Sequence, residues 1–368
     1  MSIRSAAICL FIVFLTLAGL SAQGQERQGQ PTFDAKVEAV SVDVLVTKPT
    51  GQPIRGLKKD EFRIYEDEVE QEITNFFAVD APFSVGLVLD TSYSTVGKLA
   101  QIQNAAIQFI NALHPQDEVM VISFDDEVYL DTDFTENREV AERAIKSTRT
   151  GQSTQVYEAV WLALEQMGQS RLRRVLVIFT DGVDTTSHAT SLKDTIDKAK
   201  ESSTLVYTVY FDTERDSIRQ IRESHRRIGG PLGGPPAGSP PTIPGQTPLP
   251  RPDVNPLPVP TPPARRTPRD VENERQDIER AEMDYRRARS YLEKLAEVTG
   301  GGYFKARGDV SDLRTVFEAV AEELRSLYTI SFVSSNPERD GEFRKLEVRC
   351  TRKGVRLRHR EGYFAPKQ

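Results

Sequence analysis

The residues best placed to do chemistry in this chain are Asp90, Ser92 and Ser94, in the run Val85-Gly86-Leu87-Val88-Leu89-Asp90-Thr91-Ser92-Tyr93-Ser94. A short apolar run of this kind reads as a buried strand, and it ends in Asp-x-Ser-x-Ser. One carboxylate and two hydroxyls on a loop just past a strand are hard oxygen donors that can hold a divalent cation. In open α/β sheets ligands bind outside the carboxyl ends of the strands, which is where Asp90 falls. Two later segments add donors. Arg174-Val175-Leu176-Val177-Ile178-Phe179-Thr180-Asp181-Gly182 repeats the design, an apolar run too short for a helix that stops at an acid, so Asp181 is expected beside Asp90. The stretch from Gly151 to Val160 reads as a loop opening onto an apolar-periodic helix, with the Thr154 hydroxyl near its start. Each hydroxyl alone has a plainer explanation as a turn or cap residue. The agreement of three segments on one location favours the cation site.

These residues resemble the von Willebrand factor A (VWA) domain, whose metal-ion-dependent adhesion site combines Asp-x-Ser-x-Ser with a threonine and a distant aspartate. The resemblance maps that set onto Asp90, Ser92, Ser94, Thr154 and Asp181. Tyr93 stands where the family commonly has glycine, a departure shared with integrin β subunits. Few direct anionic ligands suit Mg²⁺, which keeps several waters; Mn²⁺ and Ca²⁺ are the alternatives. In the resembled family a carboxylate of the partner protein fills the open position, so the resemblance implies an adhesion-type module that binds a protein through the metal. Tyr93, Asp184 and His188 are the rim residues expected to select that partner.

The competing class is an enzyme, for example a metal-dependent hydrolase. The four histidines, at 114, 188, 225 and 359, have no zinc-motif spacing, and the chain has neither a Gly-x-Ser-x-Gly elbow nor a phosphate-cradling loop. The sequence therefore supports no catalytic residue. A third reading is a structural envelope assembly protein without metal binding.

With 368 residues and 38% hydrophobic content, the chain can bury a sizeable core and is long enough for two domains. A net charge of -6 and the lack of a long basic run argue against a nucleic-acid partner. Arg4, the apolar stretch Ala6 to Leu20 and Ala22-Gln23-Gly24 read as a signal peptide over residues 1–24. It implies a secreted, periplasmic or envelope protein with no membrane span after cleavage, retention as an anchor being the alternative. Cys9 leaves with the leader, so Cys350 has no disulfide partner and is expected to be a buried strand residue.

The period of the hydrophobic pattern changes twice. Residues 33–82 read as β structure, because Val40 to Val46, Phe62 to Tyr65 and Ile73 to Val79 alternate at period two. Between 83 and 326 strands alternate with helices, the first helix carrying Leu99, Ile102, Ala106, Phe109, Ile110 and Leu113 on one face. Such alternation predicts a doubly wound, mostly parallel sheet covered on both faces, a Rossmann-like α/β fold. The Pro/Gly-rich residues 229–268 interrupt it and are expected to be extended or disordered. A helix carrying Leu292, Leu295 and Val298, a strand at Tyr303-Phe304 and a helix from Leu313 to Leu324 resemble the closing elements of the VWA fold, which makes the Pro-rich stretch an insertion. Residues 327–366 alternate as strands again.

Nearly the whole chain is similar to VWA-related proteins described from Acidobacteria. Besides the metal loops, the likeness rests on Val42-Asp43-Val44, Gly56-Leu57, Tyr65-Glu66-Asp67, Leu324-Arg325-Ser326-Leu327-Tyr328 and Gly362-Tyr363-Phe364. Neither flanking β segment has enough strands to be stable alone, so the two are expected to pair into one composite β-sandwich.

Overall fold

The change of hydrophobic period along the chain separates two kinds of layer in the structure, a computed structural model that describes residues 39–78, 81–228, 266–306 and 310–367. The leader expected at 1–24 and residues 229–265 of the stretch expected to be extended or disordered at 229–268 lie outside the described residues, whereas its end is ordered, with Thr267 capping and Pro268 starting a helix. The chain first forms β1 (Ala39–Thr47), β2 (Phe62–Glu66), β3 (Val69–Gln71) and β4 (Ile73–Ala78). The α/β section begins with β5 (Phe83–Asp90), α1 (Leu99–Ala112), β6 (Glu118–Phe124), β7 (Val128–Thr135) and α2 (Arg138–Ser147). It continues with α3 (Val156–Met167), β8 (Arg173–Thr180), α4 (Leu192–Glu201), β9 (Leu205–Phe211) and α5 (Glu214–Ile228). Next come α6 (Pro268–Thr299), β10 (Tyr303–Ala306) and α7 (Val310–Leu324). The last elements are β11 (Leu327–Val333), β12 (Phe343–Cys350), β13 (Arg356–Arg358) and β14 (Gly362–Phe364).

Six strands make the central sheet, in the order β10-β9-β8-β5-β6-β7. All neighbours are parallel except β7, which runs antiparallel to β6 at the edge. Every residue of β5 is buried, as a strand covered on both faces requires. Side chains alternate between the faces. Val85, Leu87 and Leu89 pack with α1, α2 and α7, whereas Val88, Leu176 and Ile178 pack with α3, α4 and the end of α6. The chain leaves β5 for β6 on one side and later returns to β8 on the other. The crevice at the carboxyl ends of β5 and β8 is therefore the topological switch point, the usual ligand location in such sheets.

Helix α6 has clear local causes. Thr267 and Asp270 form a capping box, Pro268 occupies the first turn, and Gly300 ends the helix in the left-handed conformation at φ 77°. The charged segment 270–290 does extend the helix that carries Leu292, to 32 residues in all. Helix α5 is not announced by the sequence pattern, since its stripe is thin and covers chiefly α6. Among the described residues no helix is long and apolar enough to cross a membrane.

The flanking strands interleave. One four-stranded sheet has the order β13-β1-β11-β4 and the other β14-β12-β2-β3, so each combines strands from both sides of the α/β section. Between them lies a core of Val42, Val44, Phe62, Ile64, Ile330, Phe332, Leu346 and Val348, the sandwich expected from the sequence. Cys350, expected to be buried, is only half-buried against this core, because it is the last residue of β12. The sandwich meets the amino ends of the central strands. Asp43 on β1 holds Arg173, the first residue of β8, at 2.6 Å. Asp181 follows the other end of that strand, about 25 Å away at ~3.3 Å per residue.

Candidate metal centre

Parallel pairing of β5 with β8 brings Asp90 and Thr180 side by side at the ends of their strands. The Thr180 hydroxyl donates to Asp90 Oδ2 at 2.5 Å and accepts from the Gly182 amide at 2.8 Å. Asp90 Oδ1 accepts from the Ser92 amide at 2.9 Å. Next to it, Asp181 Oδ1 accepts from the Val183 amide at 3.1 Å, and Oδ2 from the Thr213 hydroxyl at 2.6 Å. The Ser92 and Ser94 hydroxyls are 3.1 Å apart, Ser92 bearing on Asp90 and Ser94 on Asp181. Gly182 is required here. Its φ is 73°, and a Cβ would stand 2.9 Å from Leu292 Cδ1 of α6.

The Thr154 loop is tied to both neighbours. Asp126, just past β6, accepts from the Gln152 and Ser153 amides at 3.1 and 2.8 Å and from the Ser153 hydroxyl at 2.5 Å. The Gly151 amide donates to Thr91 O at 2.9 Å, and a Cβ there would lie 2.5 Å from Asp125 Cγ. Thr154 O accepts from the amides of Thr185 and Thr186 at 3.0 and 3.2 Å. The five residues expected to hold a cation thus come from three mutually bonded loops. Asp90, Ser92, Ser94 and Asp181 interact directly, while the Thr154 side chain makes no hydrogen bond to these four among the described residues.

The expected rim residues differ in their surroundings. Tyr93 is 53% exposed, with Val96 beside it at 51%. Asp184 has a structural task, because Oδ1 accepts from the Val156 amide at the start of α3 at 2.8 Å and from the Ser187 hydroxyl at 2.5 Å. His188 is exposed and shares a surface cleft with Tyr157, Ser191 and Arg287.

Burial pushes the Asp90 carboxyl up to about 7, and the charge of Asp181 adds to the effect, against hydrogen bonds from Ser92 and Thr180. Burial raises Asp181 as well, opposed by hydrogen bonds from Thr213 and Ser94, the Val183 amide and the charge of Lys98. Lys98 is itself engaged by Asp216 at 2.7 Å. Two buried acids thus face each other among neutral donors. No group of three or more His, Cys, Asp or Glu side chains converges as a metal site among the described residues. The donor set of two carboxylates and three hydroxyls instead fits a hard cation such as Mg²⁺, which takes oxygen ligands and retains water.

Residues 85–183, which span the three loops, match the family model of the von Willebrand factor type A domain. The chain carries a VWA domain. No curated protein matches its sequence. Among solved structures it is similar to BatB from Bacteroides thetaiotaomicron, at 16% identity over 66% of this chain and 99% of that one, with a TM-score of 0.37. It is similar also to the vWF domain of the type V pili tip protein Mfa5 from Porphyromonas gingivalis, at 15% identity over 67% and 96% of the two chains and a TM-score of 0.37. A third is proximal thread matrix protein 1 from the mussel byssus with a zinc-occupied MIDAS motif, at 11% identity and a TM-score of 0.42. That comparison covers 70% of this chain and 49% of the mussel protein.

Three residues around the candidate site lie outside the Asp-x-Ser-x-Ser pattern. Thr180, Asp126 and Thr213 all follow the strand-end rule that picks out Asp90 and Asp181, since each lies at or just past the carboxyl end of β8, β6 or β9. Applying that rule to every central strand would have found them.

Proposed function

We propose that this protein is a secreted or envelope binding module that holds a divalent cation, Mg²⁺ in the first place, at the ends of β5 and β8 and binds a carboxylate of a protein partner there. The observation that carries this reading is the pair Asp90 and Asp181, 0% and 3% exposed, lined by hydroxyl and amide donors, with the charge of Lys98 that acts on Asp181 shared with Asp216. Asp90, Ser92, Ser94, Thr154 and Asp181 would hold the ion, which would supply the missing positive charge and an exchangeable position for a carboxylate. Mn²⁺ and Ca²⁺ satisfy the same donors with looser geometry.

The protein's own residues do the rest. Asp126, Asp184 and Gly151 hold the Thr154 loop against the other two, and the buried walls keep bulk water from the two acids. Tyr93 and His188 are exposed and would form the rim at which a partner is selected. VWA domains are generally interaction modules rather than enzymes, in keeping with a binding role. The Ser92 and Ser94 hydroxyls bond each other and bear on Asp90 and Asp181, an arrangement suited to donors around a cation. The leader read at residues 1–24 directs this binding outside the cytoplasm.

Calorimetry with Mg²⁺ and Mn²⁺ on the wild-type chain and on Asp181→Ala tests the ion, and capture of envelope proteins with and without chelator tests the bridge. Saturable binding lost in Asp181→Ala, with chelator-sensitive capture, is expected. Equal titrations of the two proteins would refute the reading.

A further inference from the structure

Asp181 Oδ2 is the start of a line of hydroxyls that leads away from the cation site into the helices on either side of the Pro/Gly-rich stretch. Thr213, 1% exposed at the end of β9, donates to it at 2.6 Å. The Thr213 oxygen lies 2.9 Å from the Tyr285 hydroxyl of α6, which lies 2.7 Å from the Ser217 hydroxyl of α5. Each of these groups has one proton to give. When Asp181 is the anion, Thr213 must donate to it, Tyr285 to Thr213, and Ser217 to Tyr285, so all three dipoles point at the carboxylate. Tyr285 is 4% exposed, and burial and then the charge of Asp181 push its hydroxyl up to about 12, so it remains a donor. The same helix closes over the adjacent residue, with Ala288 and Leu292 against Gly182.

We infer that Tyr285 is a positioning residue for the cation site, which with Ser217 fixes the Thr213 hydroxyl on Asp181 and so makes cation affinity depend on how α6 packs against α5. The inference rests on the reading of Asp181 as a cation ligand. Partners one shell out from a metal typically change its affinity by about 10- to 100-fold.

The test uses the full chain, with Mg²⁺ and Mn²⁺ alone as probes, in calorimetry and in Mn²⁺ electron paramagnetic resonance. Tyr285→Phe keeps the ring and removes only the hydroxyl, Thr213→Val replaces the hydroxyl with a methyl, and Thr213→Ser keeps the hydroxyl and removes the methyl. Weakening by about tenfold or more is expected in Thr213→Val and a smaller loss, above about twofold, in Tyr285→Phe, with a changed Mn²⁺ spectrum in both and near wild-type affinity in Thr213→Ser. A purely structural role would lower the denaturation midpoint of Tyr285→Phe in chelator and leave its cation affinity and spectrum unchanged. Wild-type binding that Asp181→Ala loses and Tyr285→Phe keeps within twofold would overturn this inference alone. A wild-type chain that binds neither cation would remove the metal reading, and this inference with it.

Discussion

Glu66 in the sandwich and Asp90 at the end of β5 are both removed from water, at 2% and 0% exposure, yet their surroundings differ in kind. Glu66 faces Arg344, itself 3% exposed, at 3.3 Å, and accepts from the Tyr363 hydroxyl at 2.9 Å and the Ser334 hydroxyl at 2.6 Å. The guanidinium also donates to the carbonyls of Asn336 and Glu338 at 3.1 and 2.6 Å. Charge is matched there inside the fold. At the strand ends, Asp90 and Asp181 have hydroxyl and amide donors, the charge of Lys98 that acts on Asp181 is shared with Asp216, and Asp181 raises the cost of ionising Asp90. A closed ion pair needs nothing further, and here it joins the neighbouring strands β2 and β12 of one sheet. An open pair of acids can be completed only from outside, by protons or by a cation.

The largest effect that could break this contrast lies in the sandwich. Arg344→Met strands Glu66 in the core and should cost roughly 3–5 kcal/mol in urea denaturation, without altering cation titrations. Asp90→Asn should do the reverse. Cation affinity should fall by about 100-fold or more, since a direct ligand is lost, whereas stability in chelator should hold or rise as the repulsion disappears. A chelator-stability loss as large as that of Arg344→Met would erase the distinction.

A smaller effect comes from pH. Asp90 loses its proton near its ordinary value of 3.8 in the unfolded chain and near 7 in the native one, so the native state binds more protons between these values. In chelator, stability should be full below about pH 4 and fall as pH rises through about 7, seen as a lower urea midpoint at pH 8 than at pH 5. Saturating Mg²⁺ should flatten the fall. Stability that rises with pH in chelator would mean that Asp90 is not held in its protonated form. The smallest change is expected from Asp126→Asn, which only loosens the Thr154 loop. Cation affinity should drop by less than about tenfold, with the sandwich unaffected.

Much of this architecture is legible in the chain because its causes are local. Continuous apolar runs announce β5 and β8, and Asp90, Ser92 and Ser94 are three neighbours on one loop. Helix α5 is hidden because its neighbour is a polar helix rather than the sheet, so few of its residues need be apolar. Thr213 and Tyr285 are hidden for another reason. Their meeting depends on a contact across 72 residues of sequence, and nothing in either residue's own surroundings marks it. The strand count makes two separate flanking sheets implausible, but it does not say that β1 pairs with β11 or β2 with β12.

The position of β11 sets an order of events for folding. Among the described residues it is the only strand neighbour of β4, and it lies between β4 and β1, with Ser41 and Ser331 bonded across 290 residues. Closing so long a loop before anything else has formed is entropically costly, so the intervening α/β section must first shorten the distance. During synthesis β1 and β4 therefore emerge early and find their partner last. Pulse-labelled hydrogen exchange should show their amides gaining protection together with those of β11 and after those of β5 and β8; earlier protection of β1 would contradict this order. Until β11 has been made and placed, β1 and β4 stay open to aggregation.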